Sequence, residues 1–184
     1  HYDRRRQAGF GWWSRRVEGA SRLFDVIRID HFRGLESYWA VPYGAETARE
    51  GRWRKGPGMD LVGVLTQWFH GLDIIAEDLG FLTPEVHKLL ADSGLPGMKV
   101  LEFAFDSRDG GGRVYQPHNY PAHCVAYVGT HDNDTALGWL STARPEDVAL
   151  AREYLHLDPA EGENWGMMRA IWSSAAGCAI VQMQ

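Results

Sequence analysis

"LFDVIRIDHFRG", residues 23–34, begins as an apolar run and ends crowded with charge. Leu23, Val26, Ile27 and Ile29 have the composition of a buried strand, so a strand is expected over 23–29. Around its end stand four ionisable groups, Arg28, Asp30, His31 and Arg33. Strand alternation puts Arg28 and Asp30 on one face and Ile27 and Ile29 on the other. A guanidinium beside a carboxylate favours the ionised form. Asp30 therefore reads as a carboxylate held charged and aimed, which suits a nucleophile better than a proton donor. The alternative is a purely structural Arg–Asp pair.

Outward from this stretch the pattern repeats. "LDIIAEDLG" (72–80) and "HCVAYVGTHDNDT" (123–135) are apolar runs that end in acids, Glu77 and Asp132. "MKVLEFAF" (98–105) and "CAIVQMQ" (178–184) are two further strand candidates. Helical stretches separate them. "MDLVGVLTQWFH" (59–70) places Leu61, Val64, Leu65 and Trp68 on one face. "TPEVHKLLADSG" (83–94) has Thr83 as cap, Pro84 at the first helical position and Gly94 as its stop. Another helix starts at Pro145, and "NWGMMRAIWSSAAG" (164–177) spaces Trp165, Met168, Trp172 and Ala175 along one side. "RRRQAGFGWWSRR" (4–16) reads as a helix with a solvated arginine face.

Strands alternating with helices mean α/β architecture with a parallel sheet. In such a fold all strand C-termini share one face, where α/β enzymes and (β/α)8 barrels place their sites. Asp30, Glu77 and Asp132 are expected to converge there. Like charges nearby push one carboxyl's pKa upward, so Glu77 reads as a general acid and base. Two carboxyls with split pKa values are the equipment for glycosidic bond cleavage. Asp78, of opposite parity, reads as a brace of the turn. Two connections, 31–58 and 106–123, exceed the usual loop length of ~12–15 residues and are expected to face a ligand.

Composition narrows the partners. The 184 residues carry a net charge of −5, which argues against nucleic acid or an anionic membrane. Eight Trp, seven Tyr and seven Phe are more aromatic surface than such a core needs, and flat rings beside hydrogen-bonding groups suit sugars. No apolar run reaches the ~18 residues of a membrane span. Cys124 and Cys178, in apolar runs without CxxC spacing, read as reduced, buried thiols of a cytoplasmic protein. A His/Asp metal centre could be drawn from His31, His131, Asp132 and Asp134. No HxH or HExxH spacing supports it, and Arg28 and Arg33 oppose a cation, so no metal is expected. The chain starts without Met and stops inside an apolar run, which is expected of part of a larger domain.

The stretches "RIDHFRG", "GRWRKGPG", "AEDLG", "TPEV", "GLPGMKVLEFAFD", "HNYPAHCVAYVGTHDNDT" and "AIVQMQ" occur in order through nearly the whole chain. In them the sequence resembles the 4-alpha-glucanotransferases, the amylomaltase or disproportionating-enzyme family. The resemblance implies that Asp30 is the nucleophile and Glu77 the acid/base. It implies that Asp132 binds the reacting sugar and steadies the transition state. Arg28, His131 and Asp106 would contact substrate. It further implies a partial (β/α)8 TIM barrel, with parallel strands from about the fourth to the eighth. Residues 1–184 would be the C-terminal portion of a single catalytic domain whose N-terminal strands lie outside the chain. The implied reaction moves an α-1,4-glucan segment between maltooligosaccharides by a retaining double displacement, without a cofactor. An α-glucan hydrolase with the same triad and a non-catalytic glucan-binding fragment are the alternatives.

Overall fold

The computed structural model describes residues 2–108 and 110–183. Two helices, α1 (Tyr2–Gln7) and α2 (Gly11–Ser21), lead into β1 (Val26–Ile29). The single helix expected over 4–16 is broken because Gly9 and Phe10 both adopt left-handed conformations, which a right-handed helix cannot contain. The break turns Phe10 into the core. Strand β1 also starts later than expected. The amides of Leu23 and Phe24 both donate to Ala20 O, closing the end of α2 and leaving these two side chains exposed.

The connection after β1 is structured. A short helix, α3 (Arg33–Glu36), leads into a hairpin of β2 (Ser37–Ala40) and β3 (Arg52–Lys55). The pairing is antiparallel and sets Trp39 opposite Trp53 and Tyr38 opposite Arg54. "KGPG" then folds against the end of α3. Gly56 N–H donates to Glu36 O and Gly58 N–H to Leu35 O. A Cβ on Gly56 would collide with the main chain of Leu35, so this close approach requires glycine.

Helix α4 (Met59–Trp68), β4 (Asp73–Ala76) and α5 (Pro84–Ser93) follow. Strands β1 and β4 pair in parallel, with Ile29 opposite Ala76. Helix α4 buries Leu61, Val62 and Leu65. The buried stripe is rotated from the expected one, and Trp68, at the last helical position, is exposed. Helix α5 begins with Pro84 and stops at Gly94, which is left-handed as a C-terminal stop should be. Thr83 caps it through its main-chain carbonyl, which accepts from Val86 and His87 N–H. Phe10, Val17, Phe32, Leu35, Leu61, Val62, Leu65, Ala76 and Leu89 form the core.

A second sheet has the order β5 (Gly97–Val100), β6 (Cys124–Tyr127), β7 (Cys178–Ile180). Strands β6 and β7 are parallel, with Ala126 opposite Ala179. The strand expected over 98–105 ends at Val100, and Leu101–Phe105 coils into a buried 3-10 turn. Two more 3-10 turns, Gly112–Tyr115 and Pro117–Asn119, shape the following connection. Helices α6 (Ala136–Thr142), α7 (Pro145–Leu155) and α8 (Glu163–Trp172) complete the chain's helices among the described residues. Cys124 is buried as expected, but Cys178 is exposed, because β7 has neighbouring β6 on one side only. The chain divides into two compact units, His1–Gly97 and Met98–Gln184. Among the described residues, no helix is long and apolar enough to cross a membrane.

Candidate active site

Asp30 and Glu77 each stand one residue beyond the paired ends of β1 and β4, after Ile29 and Ala76. The main chain continues the ladder past them. Glu77 N–H donates to Ile29 O (2.9 Å), and Phe32 N–H donates to Glu77 O (3.0 Å). Two acids on neighbouring parallel strands are thereby held at matching positions.

Arg28 lies on the Asp30 side of the strand, as alternation requires. Its Nη2 donates to Asp30 Oδ1 at 2.6 Å. The Arg28 side chain is 26% exposed while that of Asp30 is 73% exposed. This is a carboxylate steered from behind and open in front. Glu77 is held differently. His31 N–H donates to its Oε2 (2.6 Å), and Leu79 N–H donates to its Oε1 (2.9 Å). His31 reaches that position in a left-handed conformation, φ 48°, which is uncommon for a residue other than glycine. Its ring lies against Gly34, where a Cβ would come within 3.1 Å of Cδ2.

Asp78, the next residue, is buried. Its carboxyl lies over Gly97, so close that a Cβ there would come within 2.7 Å of Oδ1. Arg33 ties further parts of the first unit together. Its Nη1 donates to Phe81 O (2.8 Å), on the connection after Glu77. Its guanidinium also sits 4.6 Å from the ring centre of Trp53 on the hairpin, within cation–π range.

His131, Asp132 and Asp106 belong to the second unit. His131 and Asp132 are both exposed on the turn after β6, with Nε2 3.4 Å from Oδ1. Asn133 Oδ1 accepts from Thr130 N–H (2.9 Å) and Oγ1 (2.8 Å), and Asp132 N–H donates to Thr130 Oγ1 (3.3 Å). The side chains of "THDN" thus shape their own turn. Both Asp106 oxygens accept from Arg108, Oδ1 from Nε (2.8 Å) and Oδ2 from Nη2 (2.6 Å). That guanidinium pulls the Asp106 carboxyl down to about 2.

Two features of the structure were not read from the sequence. The His31 amide is main chain, so no residue type announces it. Glu102 is buried in the apolar run "LEFAF", and an acid inside such a run was a signal available to find it. Burial, with the charge of Asp134 adding, pushes its carboxyl up to about 8. Among the described residues, no group of three or more His, Cys, Asp or Glu could hold a metal ion.

A family model described as 4-alpha-glucanotransferase matches residues 1–184. The 4-alpha-glucanotransferase of Clostridium butyricum is 47% identical over 179 residues, covering 97% of this chain and 36% of that protein. That of Thermus thermophilus is 48% identical over 183 residues, covering 96% and 36%. A solved structure, amylomaltase from Streptococcus agalactiae in complex with acarbose, matches with a TM-score of 0.91 at 34% identity. The match covers 100% of this chain and 37% of that one. The chain thus spans a little over a third of the length of these relatives.

Proposed function

Because the chain belongs to the 4-alpha-glucanotransferase family, we propose that it carries the catalytic carboxyls of a retaining glucan transfer. Asp30 is the nucleophile, Glu77 the acid/base, and Asp132 with His131 holds the reacting sugar. Arg28 aims the nucleophile, and Asp106 is a further substrate contact. The observation that carries this reading is the placement of Asp30 and Glu77 at matching ends of two neighbouring parallel strands, each held by its own donors.

Glu77 gives its proton to the glycosidic oxygen as Asp30 attacks the anomeric carbon. The donor's reducing-end fragment leaves and a β-glucosyl ester forms on Asp30. Glu77, now a base, takes the proton of an acceptor 4-hydroxyl. That oxygen displaces Asp30 and restores an α-1,4 bond. One such bond is broken and one made, so the reaction needs no external energy source. Substrates are maltooligosaccharides, and the setting is the cytoplasm, in keeping with two free cysteines. Residues 1–184 supply the last part of a (β/α)8 catalytic domain, from about its fourth strand to its eighth.

The test uses a protein of the relatives' length that carries this chain, incubated with maltotriose. Shorter and longer oligosaccharides together mean transfer. A gain of reducing ends without elongation means hydrolysis and overturns the reading.

A further inference from the structure

The turn after β6 that carries His131 and Asp132 is bracketed by two further acids, Asp134 and Glu102. Asp134 stands at its far end. Its Oδ1 accepts from Thr135 N–H (2.8 Å) and lies so close to Gly138 that a Cβ there would come within 2.2 Å. Thr135 Oγ1 caps α6 by accepting from Gly138 N–H (3.1 Å). This end of the turn is fixed to a helix.

The near end is held at Gly129. Glu102, in the buried 3-10 turn after β5, gives its own N–H to Val128 O (3.1 Å). Its carboxyl lies against Gly129, where a Cβ would come within 2.9 Å of Oε1. From the segment after β7, the Gln182 side-chain amide donates to Gly129 O. The base of the turn therefore rests on two side chains from other elements.

Glu102 is an odd choice for such a seat. It is 3% exposed, and among the described residues its Oε1 has no hydrogen-bond partner. A buried charge without a partner is costly, and a charged Glu102 would also oppose the charge of Asp134. A carboxyl that keeps its proton avoids both costs, and burial with the charge of Asp134 pushes this one up to about 8. Leucine would fill the place as well at neutral pH. What leucine lacks is a proton to lose.

The surroundings decide what that loss does. Glu102 lines a cleft with His131 and Asp134, the other titratable groups of its lining. The cleft gives the proton a way out. Helix α8 and the segment after β7 contribute Asn164 and Gln182 there, which carry no charge. Behind the 3-10 turn, the Asp147 carboxylate of α7 is engaged by Ser107 N–H (3.1 Å). The next 3-10 turn sets the Tyr115 ring edge-on to Phe103. Of these groups, Asp134 is the charge that acts on Glu102.

We propose that Glu102 is a positioning residue: its neutral carboxyl seats the turn that carries His131 and Asp132, and loss of its proton drives that turn off its seat. High pH thereby withdraws both side chains from the reacting sugar without titrating either of them. That the turn serves the sugar rests on the function proposed above.

The experiment follows the amides of 129–134 by NMR in the 184-residue chain from pH 6 to 10, native and with Glu102→Gln. The native turn should move in a step centred near pH 8. The glutamine variant keeps the shape but has no proton to lose in that range, and should lack the step. Titration of His131 is common to both chains and cancels in the comparison. In a protein of the relatives' length, kcat/KM for maltotriose should fall about tenfold between pH 7 and pH 9, and Glu102→Gln should hold its pH 7 value across that range. No native step near pH 8, or the same step or the same fall in the glutamine variant, overturns the proposal. Should that variant misfold, Asp134→Asn decides. Removing the opposing charge should move the step to lower pH, and an unmoved step overturns the proposal. A native step without transfer products at any pH would sink the function and leave the seating of the turn. Transfer products without a native step would do the reverse.

Discussion

Asp30 and Glu77 are treated unequally by their surroundings. One carboxylate is met by a side chain from its own strand, the other by main-chain amides. Replacing Asp30 by Asn keeps the shape and removes the proposed nucleophile. Turnover in a protein of the relatives' length should fall by about 10³-fold or more with no loss of melting temperature. An activated glucosyl fluoride should label residue 30, and a label on Asp132 instead would reverse the assignment. Glu102 makes a separate prediction about stability. Its carboxyl titrates at about 8 in the folded chain, above the ordinary carboxylate range where it titrates unfolded. Between these values the folded chain holds a proton that the unfolded chain has released, so stability falls as pH rises through that window and levels off above it. Melting curves from pH 5 to 9 should show this decline, and Glu102→Gln should flatten it and be the more stable form at pH 8. Arg28 beside Asp30 was legible because a two-residue alternation is local. The bond from His31 to Glu77 spans 46 residues through a main-chain donor, and no pattern of side chains encodes it.

At the level of elements, periodicity identified helices more reliably than it identified which side of them is inside. The spacing of Trp165, Met168 and Trp172 was correct as a face, yet the core took the opposite one. In α4 the buried stripe includes Val62 and leaves Trp68 out. Helix periodicity reports a stripe's spacing, while tertiary packing chooses among stripes. The hairpin of β2 and β3 was read as a loop, because Trp and Arg fill both of its faces and hide the alternation of a half-buried strand. Its rings are nonetheless fixed. Trp39 and Trp53 meet edge to face at 5.5 Å, and the Trp39 indole N–H donates to Ala48 O (2.8 Å). Gly51 lies under that indole with no room for a Cβ. Gly51→Ala should therefore expel Trp39, costing about 1–3 kcal/mol and weakening the near-ultraviolet circular dichroism of the pair. Phe32, fully buried between β1 and α3 in sequence, anchors the same region. Phe32→Ala should cost about 3–5 kcal/mol in chemical denaturation.

For the molecule as a whole, the relevant measure is its length against its relatives. The chain covers 36% of the Thermus thermophilus protein, and the (β/α)8 domain proposed above requires every strand to close. Residues 1–184 alone should give no transfer products from maltotriose. Products should appear once the rest of the relatives' length is supplied from that 48% identical protein. A monomeric 20.7 kDa chain that disproportionates maltotriose unaided would show that fewer strands suffice. The α/β class was legible because apolar runs and helical stretches alternate along the whole sequence. Strand lengths were not, because main-chain turns at Leu23–Phe24 and after Val100 cut the apolar runs short.

The left-handed His31 also bears on how this site would look to genetics. The hydrogen bond it gives Glu77 comes from an atom common to almost every amino acid. A library of side-chain exchanges at position 31 would preserve that donor and underrate the position, reporting only what the imidazole does against Gly34. Proline would remove the donor but also forbid the backbone angle, confounding the result. The informative change is chemical rather than genetic: an α-hydroxy acid built in at position 31, turning one amide into an ester. Such a protein would keep every side chain and lose one grip on Glu77, the proposed acid/base, and any fall in turnover would measure how much catalysis is inherited through the backbone alone.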